Sequence, residues 1–558
     1  MSINNIFLLL VPEESNFYLT KKNIPPLSLG ILQGYLSSKN FRVTIKDLNP
    51  NFAKINNKNT FGKWSLLFDK NFVFDNLKGK TSRELQELIG SLIANLDFSD
   101  IDAIGISTGS GISLWESHFS FLLGKVIKEK YNKPIVFGGL NVSYLFLFKE
   151  IFKEFWQLIL ENFKYVFLGP GEKPFEQLLK IFQKGDSENE YYNIDGAIYY
   201  KNGELVSNGY GIPSFVCPDF SGLELKAYST IINLENKKLN EIHYIKWAYP
   251  YNILAHRINK SKSALYKNKE VVFLPYFFNH YCPYNCAFCE QSDLKKRNFC
   301  SKSADLVIRD LQHLSKEYDT NYFHFVDNTF NYTPSFVREF CAGIINNRIE
   351  IYWSDCARCN NLTEELLELM YKAGCRRLVF GFETGSPKLL RNINKKLDID
   401  QLKNVLTLCN KIGIWAELEV IVGFPYEFEE DFQHTYNFIK ENKNLINYFH
   451  LNKYYVVPTS LMGTYPEKYG MELIRIQNYE DLLVRNKQLF ENGYNSKEDD
   501  RGDFNFHIFS YNEKNGRVFT EILKDTKEKY IKMYDLQQSF TSVKEAQLYI
   551  NSNKILLT

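Results

Sequence analysis

Between Val271 and Val456 six short apolar runs alternate with five amphipathic stretches, a pattern that limits this region to a parallel sheet flanked by helices. The runs are Val271–Phe278, Tyr322–Val326, Glu350–Trp353, Arg377–Phe382, Ala416–Val422 and Tyr448–Val456. Between them, Ser303–Tyr318, Pro334–Asn346, Thr363–Ala373, Ile399–Ile412 and Glu429–Asn442 carry apolar residues at helical spacing. Parallel neighbours need crossovers of about a dozen residues, which these helices supply. Six β/α units are too few for an eight-unit barrel, so residues 271–456 read as an open, partial barrel of six strands.

Residues 1–185 repeat the alternation with strand candidates Ile6–Val11, Arg42–Leu48, Ile101–Ser107, Pro134–Gly138 and Tyr165–Gly169. Leu27–Ser38 and Ser113–Lys130 are amphipathic, so the segment reads as a Rossmann-like α/β domain with its sheet covered on both faces. Three strands end in small residues: Ser107-Thr108-Gly109-Ser110-Gly111, Gly138-Gly139 and Gly169-Pro170-Gly171-Glu172. The carboxyl ends of an open parallel sheet form its ligand crevice, and glycines there let a large ligand approach the backbone. Any one of these glycines can simply turn the chain; three at successive strand ends favour a cofactor crevice. Residues 186–270 form a connector, with a hairpin turning at Asn202-Gly203. Residues 457–558 have weak periodicity and read as a small, mainly helical cap.

Bulk properties exclude several classes. The 67 basic and 65 acidic side chains nearly cancel, so no nucleic-acid partner is expected. No stretch reaches the roughly 18–20 apolar residues of a membrane span. The apolar start Ile6–Val11 is short and lacks a basic lead, unlike a signal peptide. These features point to a cytoplasmic chain whose ten cysteines stay reduced. None of the ten precedes Cys217, yet Cys282, Cys286, Cys289 and Cys300 fall within nineteen positions. A tight cluster in a reducing compartment points to metal.

Cys282-Pro-Tyr-Asn-Cys286-Ala-Phe-Cys289 directly follows the first barrel strand. Soft thiolates select iron–sulfur or zinc sites. A closed structural zinc site wants four ligands, which Cys300 or His280 would have to complete. Three cysteines instead leave one iron of a cuboidal cluster open to bind a substrate or cofactor. Phe288, just before the last cysteine, is placed to shield such a cluster from water.

With this spacing, residues 271–456 resemble the radical SAM superfamily. The resemblance implies a [4Fe–4S] cluster on Cys282, Cys286 and Cys289, whose open iron chelates S-adenosylmethionine (SAM) and whose electron cleaves it to a 5′-deoxyadenosyl radical. It implies that Asp327 or Asn328, at the end of the second strand, accepts hydrogen bonds from the SAM ammonium. Arg358 falls in the third-strand region, where similar proteins carry an arginine, although Cys356 and Cys359 around it depart from that pattern. Gly381-Phe-Glu383-Thr-Gly385-Ser386-Pro resembles a segment in which the carboxylate, here Glu383, meets the ribose or methionine part of SAM. Val422-Gly423-Phe424-Pro425 matches the turn that packs near adenine. Asp327 and Ser386 are equally suited to capping helices.

The first domain resembles the cobalamin-binding domains that precede one branch of this superfamily. Pro25 to Gly30 adds a Pro-Pro-Leu-x-x-Gly motif to the strand-end set. The resemblance implies cobalamin contacts at Ser107, Thr108, Gly138, Gly139, Gly169, Gly171 and Glu172. An Asp-x-His-x-x-Gly motif is absent, because Asp47 is followed by Leu-Asn-Pro-Asn, so no protein histidine is expected on cobalt.

The function implied is a cobalamin-dependent radical SAM methyltransferase acting on an unactivated carbon or phosphinate of a small molecule or peptide, fed by an external electron donor of flavodoxin or ferredoxin type. Rearrangement, cyclisation, epimerisation or oxidation on the same architecture stays open, as does a non-catalytic corrinoid or cluster carrier. A methylthiotransferase should carry a second cysteine triad in its first domain, and none precedes Cys217.

Overall fold

A computed structural model describes residues 4–13, 24–55, 61–109, 113–185, 188–231, 270–292, 299–484 and 509–540. The chain divides into two compact units, Met1–Tyr228 with Ile476–Ile508, and Ser229–Arg475 with Phe509–Thr558.

The first unit is built on β1 (Asn5–Leu10), α1 (Leu27–Ser37), β2 (Arg42–Asp47), β3 (Ala103–Ser107), α2 (Leu114–Tyr131), β4 (Ile135–Gly138), β5 (Tyr165–Val166) and α3 (Glu172–Lys184). The strands form one parallel sheet in the order β2-β1-β3-β4-β5. Ile6 to Leu10 are all buried, as a strand covered on both faces requires. On one face Leu8, Leu29, Leu36, Ile45, Phe175 and Leu178 form the core. Each such side chain contributes about 2 kcal/mol relative to exposure. Leu10 is in register with Asp47 and Ser107, and Ser107 with Gly138, so these four strand ends share one edge. The order reverses between β1 and β3, which is where a doubly wound sheet opens its ligand crevice.

β5 stops at Val166, short of the expected Gly169, because the chain leaves the sheet there. Phe167 bridges Ala197 and Leu168 N–H donates to Gly196 O at 2.8 Å. The hairpin β6 (Ile198–Lys201) and β7 (Glu204–Ser207) follows. Its turn residues Asn202 and Gly203 both have positive φ, 53° and 81°, the signature of a type I′ turn.

The second unit contains β8 (Phe273–Tyr276), α4 (Ala304–Tyr318), β9 (Tyr322–Phe325), α5 (Pro334–Asn346), β10 (Tyr352–Ala357), α6 (Glu364–Lys372), β11 (Cys375–Glu383), α7 (Ile399–Ile412), β12 (Trp415–Val422), α8 (Glu429–Glu441) and β13 (Tyr448–Lys453). Its six strands are parallel and lie in chain order, an open six-stranded barrel wall. Ser303, Thr333, Thr363 and Asp398 cap helices α4 to α7, each accepting a backbone N–H three residues on. Phe325, Phe330, Phe336, Phe340 and Trp353 interlock between the sheet and α5.

The third strand differs from the sequence expectation. It begins at Tyr352 rather than Glu350 and continues to Ala357. Ser354 to Ala357 pair in register with β11, although Ser354, Asp355 and Cys356 carry no apolar signal. The hairpin β14 (Met471–Arg475) and β15 (Phe509–Glu513), then α9 (Phe519–Gln538), complete this unit. Among the described residues, no helix is long and apolar enough to cross a membrane.

Candidate functional site

The loop after β8 carries the three cysteines. Ala287 anchors it at both backbone atoms, its N–H donating to Ile393 O at 2.8 Å and its O accepting Met462 N–H at 3.0 Å. Cys286 is buried, and Cys282 and Cys289 are partly exposed. Burial pushes the Cys289 thiol up to about 11 and raises that of Cys282, so these groups ionise only against positive charge such as a metal supplies. Among the described residues, no three His, Cys, Asp or Glu groups converge as a single metal ion demands. A cuboidal cluster places each thiolate on a different iron, so its ligands need not converge. Cys300 instead pairs with His280 across a short antiparallel ladder.

Two cations back this loop. Arg358 Nη1 lies 3.6 Å from Cys286 Sγ, and its guanidinium sits 4.0 Å over the Tyr284 ring. Its backbone is fixed by Asn331, which accepts Arg358 N–H at 2.9 Å and donates to Arg358 O at 2.7 Å. Arg358 Nη2 donates to Lys395 O, while Nε is buried without a hydrogen-bond partner among the described residues. An unspent, charged donor beside the cluster loop suits a carboxylate such as that of SAM.

Lys395 belongs to this constellation, although the sequence reading did not single it out. Its Nζ donates to Glu383 Oε1 at 2.6 Å, with both side chains 8 % exposed. Burial disfavours the ammonium, but Glu383 and Cys286 nearby outweigh it and raise the Lys395 pKa. Backbone geometry aims both partners. A bulge at Gly381/Glu383 shifts the β11 register, and Glu383 adopts φ +63°. Lys395 lies between Asn394 and Lys396, whose φ values are +53° and +50°. Gly381 leaves room for the pair: a Cβ there would sit 2.5 Å from Lys395 Nζ.

Asp327 is first of all a loop clamp. Its Oδ1 accepts Phe278 N–H at 3.0 Å and Asn279 N–H at 2.8 Å, tying β9 to the approach to the cysteine loop. Its Oδ2 is buried without a hydrogen-bond partner among the described residues. Burial raises the Asp327 carboxyl to about 8. Asn328 donates to Tyr281 O at 3.1 Å at the same strand end. Ser386 caps the helix Pro387–Asn392, accepting Leu389 N–H at 3.2 Å and donating to Asp431 at 2.6 Å.

The turn after β12 is held from below and covered from outside. Gly423 N–H donates to Glu427 Oε2 at 2.7 Å, and Gly423 O accepts the Tyr511 hydroxyl at 3.2 Å. A Cβ on Gly423, φ +85°, would strike Thr526 of α9 at 2.4 Å. Phe424 packs edge-on against Phe288, their centroids 5.5 Å apart, and Pro425 is buried beside it. This contact links the turn to the cysteine loop.

Of the other cysteines near the loop, Cys359 is buried and Cys356 is exposed. Lys295, Lys296 and Arg297 lie outside the described residues, as do Ser110 and Gly111.

In the first unit, the strand-end residues separate into two groups. Gly30 and Gly169 serve internal packing, since a Cβ on either would fall 2.5 Å from Phe220 or 2.4 Å from Tyr210. Gly139, φ +118°, is pressed against Thr108, itself fully buried with its N–H donating to Gly138 O at 2.8 Å. Gly138 and Gly171 are different: the nearest atoms to an added Cβ lie at 3.9 and 3.8 Å. Ser107 is partly exposed beside Gly138, and Glu172 is buried at the start of α3, its carboxyl raised by burial. Asn49, which stands where a cobalt-ligating histidine would be, is 3 % exposed and spends its amide N–H on Asp47 Oδ1 at 2.6 Å. The open glycines at the sheet's carboxyl edge fit a bulky cofactor that takes no side-chain ligand from this position.

Residues 276–439 match the Radical SAM superfamily. The chain is 24% identical over 364 residues to an uncharacterized methyltransferase, PH0819, of Pyrococcus horikoshii, covering 64% of this chain and 69% of that one. It is 28% identical over 170 residues to the anaerobic magnesium-protoporphyrin IX monomethyl ester cyclase of Rubrivivax gelatinosus, spanning 30% of each. Among solved structures, the fold resembles the radical S-adenosylmethionine methyltransferase TsrM from Kitasatospora setae, determined with cobalamin and a [4Fe–4S] cluster bound. The TM-score is 0.56 at 15% identity, over 85% of this chain and 77% of that one. By that match residues 276–439, which include the cysteine loop, form a radical SAM domain, and over 85% of its length the chain shares the fold of the TsrM structure.

Proposed function

We propose that the chain binds a [4Fe–4S] cluster on Cys282, Cys286 and Cys289, SAM beside it, and cobalamin at the carboxyl edge of the first sheet, and that it methylates a small-molecule or peptide substrate. The observation that carries the reading is the placing of Arg358 and Lys395 against a three-cysteine loop. When bound, the cluster supplies the electron for reductive cleavage of SAM, and cobalamin supplies the methyl carrier.

The chain's own residues do the rest. The three thiolates ligate, and Arg358 and Lys395 offset their negative charge. Arg358 Nε and Asp327 Oδ2 offer the unspent donor and acceptor that a zwitterionic amino acid end requires. The Glu383 carboxylate, held by Lys395, is oriented for a hydroxyl-bearing ribose. Gly423 and Pro425 shape the turn facing adenine, and the Phe288–Phe424 contact keeps water from the loop. In the first unit, Ser107, Thr108, Gly138, Gly139, Gly169, Gly171 and Glu172 build the cofactor edge. Gly138 and Gly171 leave it open for close approach. The near-balance of 67 basic and 65 acidic side chains gives no support to a nucleic-acid partner, and the chemistry proposed needs an external one-electron donor, of flavodoxin or ferredoxin type, in the cytoplasm.

The test is anaerobic reconstitution followed by gel filtration. Retention of about four irons and one corrinoid per chain supports the reading. Loss of all corrinoid despite full iron loading leaves a radical SAM enzyme without cobalamin.

A further inference from the structure

The inner wall of the six-stranded barrel has a closed floor and an open level above it. On the floor, Glu417 Oε2 accepts from Arg377 at 2.5 Å and from His450 Nε2 at 2.7 Å, and Trp415 Nε1 donates to Glu417 Oε1 at 2.7 Å. The Arg377 and Glu417 side chains are 5 % and 2 % exposed, so the Glu417 carboxylate is closed off and paired on this level. Farther along the same strands, Gly381, Glu419, Ile421 and Asn452 are partly or fully exposed, as is Cys356, which the register sets level with Val379 and Glu417. The sheet register ties Gly381 to Glu419 and Ile421 to Asn452, so they line one surface.

Charge on this level is not balanced. Glu383 has Lys395 and Glu417 has Arg377 and His450, but Glu419 has no cation within ion-pair distance among the described residues. The Asn452 amide donates to Glu419 Oε2 at 3.0 Å. Burial, then the nearby Glu383 and Glu417 carboxylates, push its carboxyl above the usual range, against the opposing effect of His450. A partly buried carboxylate without a cation is disfavoured, and a ligand that brings one offsets that. Asn452 uses one of its two amide N–H groups on Glu419, and its amide oxygen is a second acceptor. Two acceptors and a carboxylate's charge select a cationic donor, and Ile421 with the Cys356 side chain supplies an apolar flank.

We propose that this level of the barrel is the substrate anchor, and that Glu419 and Asn452 hold a protonated amine of the substrate. The proposal rests on the radical SAM reading, since it places the amine in the same barrel whose upper edge carries Glu383, Lys395 and the cysteine loop.

The test compares three probes of one shape on the reconstituted enzyme: phenethylamine, 2-phenylethanol and phenylacetate, read by saturation-transfer NMR. Phenethylamine is expected to bind at least about tenfold more tightly than the other two, a preference lost in Glu419→Gln. If that variant does not fold, as judged by thermal melting, Asn452→Leu should weaken phenethylamine several-fold with no change for 2-phenylethanol. Equal or tighter binding of phenylacetate or the alcohol, or an unchanged amine preference in the folded variant, overturns the proposal. Iron content and SAM cleavage of the wild-type preparation are measured alongside. Their loss counts against the radical SAM reading, whereas amine selectivity is scored independently.

Discussion

Lys395 Nζ and Glu383 Oε1 form a 2.6 Å ion pair with both side chains 8 % exposed, at the rim of the barrel and within electrostatic reach of Cys286. Removing one partner of such a pair strands a buried charge, at a cost of about 3–5 kcal/mol. Lys395→Met is therefore expected to lower unfolding stability by about that amount, and Lys395→Met with Glu383→Gln by much less than the sum of the two single changes. A denaturation double-mutant cycle measures the difference. Additive losses would show that the pair is not coupled.

The cysteines divide by role. Cys356→Ala with Cys359→Ala should leave iron content unchanged, because Cys356 opens into the barrel and Cys359 is a buried core thiol. Iron analysis after reconstitution checks this. A loss of about half the iron would reveal a second cluster.

Gly138 and Gly139 give opposite expectations. Gly139→Val would drive a Cβ to 2.8 Å from Thr108 Oγ1 at φ +118°, so it should destabilise the first unit itself. Gly138→Val has no atom nearer than 3.9 Å to its Cβ, so it should fold normally yet lose retained corrinoid. Thermal melting and corrinoid absorbance after gel filtration separate the two. Full corrinoid retention in Gly138→Val would remove the cofactor from this edge.

His324 makes the barrel sensitive to acid. Burial first, and then Arg377, hold its pKa at about 3, while an unfolded histidine titrates near 6.5. Between these values only the unfolded state binds the proton, so stability is complete above about 6.5 and falls as the pH drops toward 3. His324→Gln should flatten that slope in denaturant titrations between pH 7 and 4. An unchanged slope would place the acid sensitivity elsewhere.

Strand β1, which buries apolar residues on both faces, could be read directly from the sequence. The second half of β10 could not, because Ser354 and Cys356 face the barrel interior and interrupt the apolar run. The cysteine loop was legible from spacing alone. Lys395 was not: beside Lys396 it looks like a solvated pair, and only the bulge at Glu383 brings it to a carboxylate. Gly30 and Gly169 were visible as glycines, but their reason is the approach of Phe220 and Tyr210, distant in sequence and adjacent in space.

The most direct test of the central claim is anaerobic incubation of the reconstituted protein with SAM and a one-electron reductant, beside a variant in which Cys282, Cys286 and Cys289 are all Ala. The account predicts 5′-deoxyadenosine from the wild type, joined by S-adenosylhomocysteine once cobalamin and a methyl acceptor are present, and neither from the variant, which should also lose its absorbance near 400 nm. Undiminished 5′-deoxyadenosine from the triple variant, or none from a wild type carrying about four irons per chain, would contradict it.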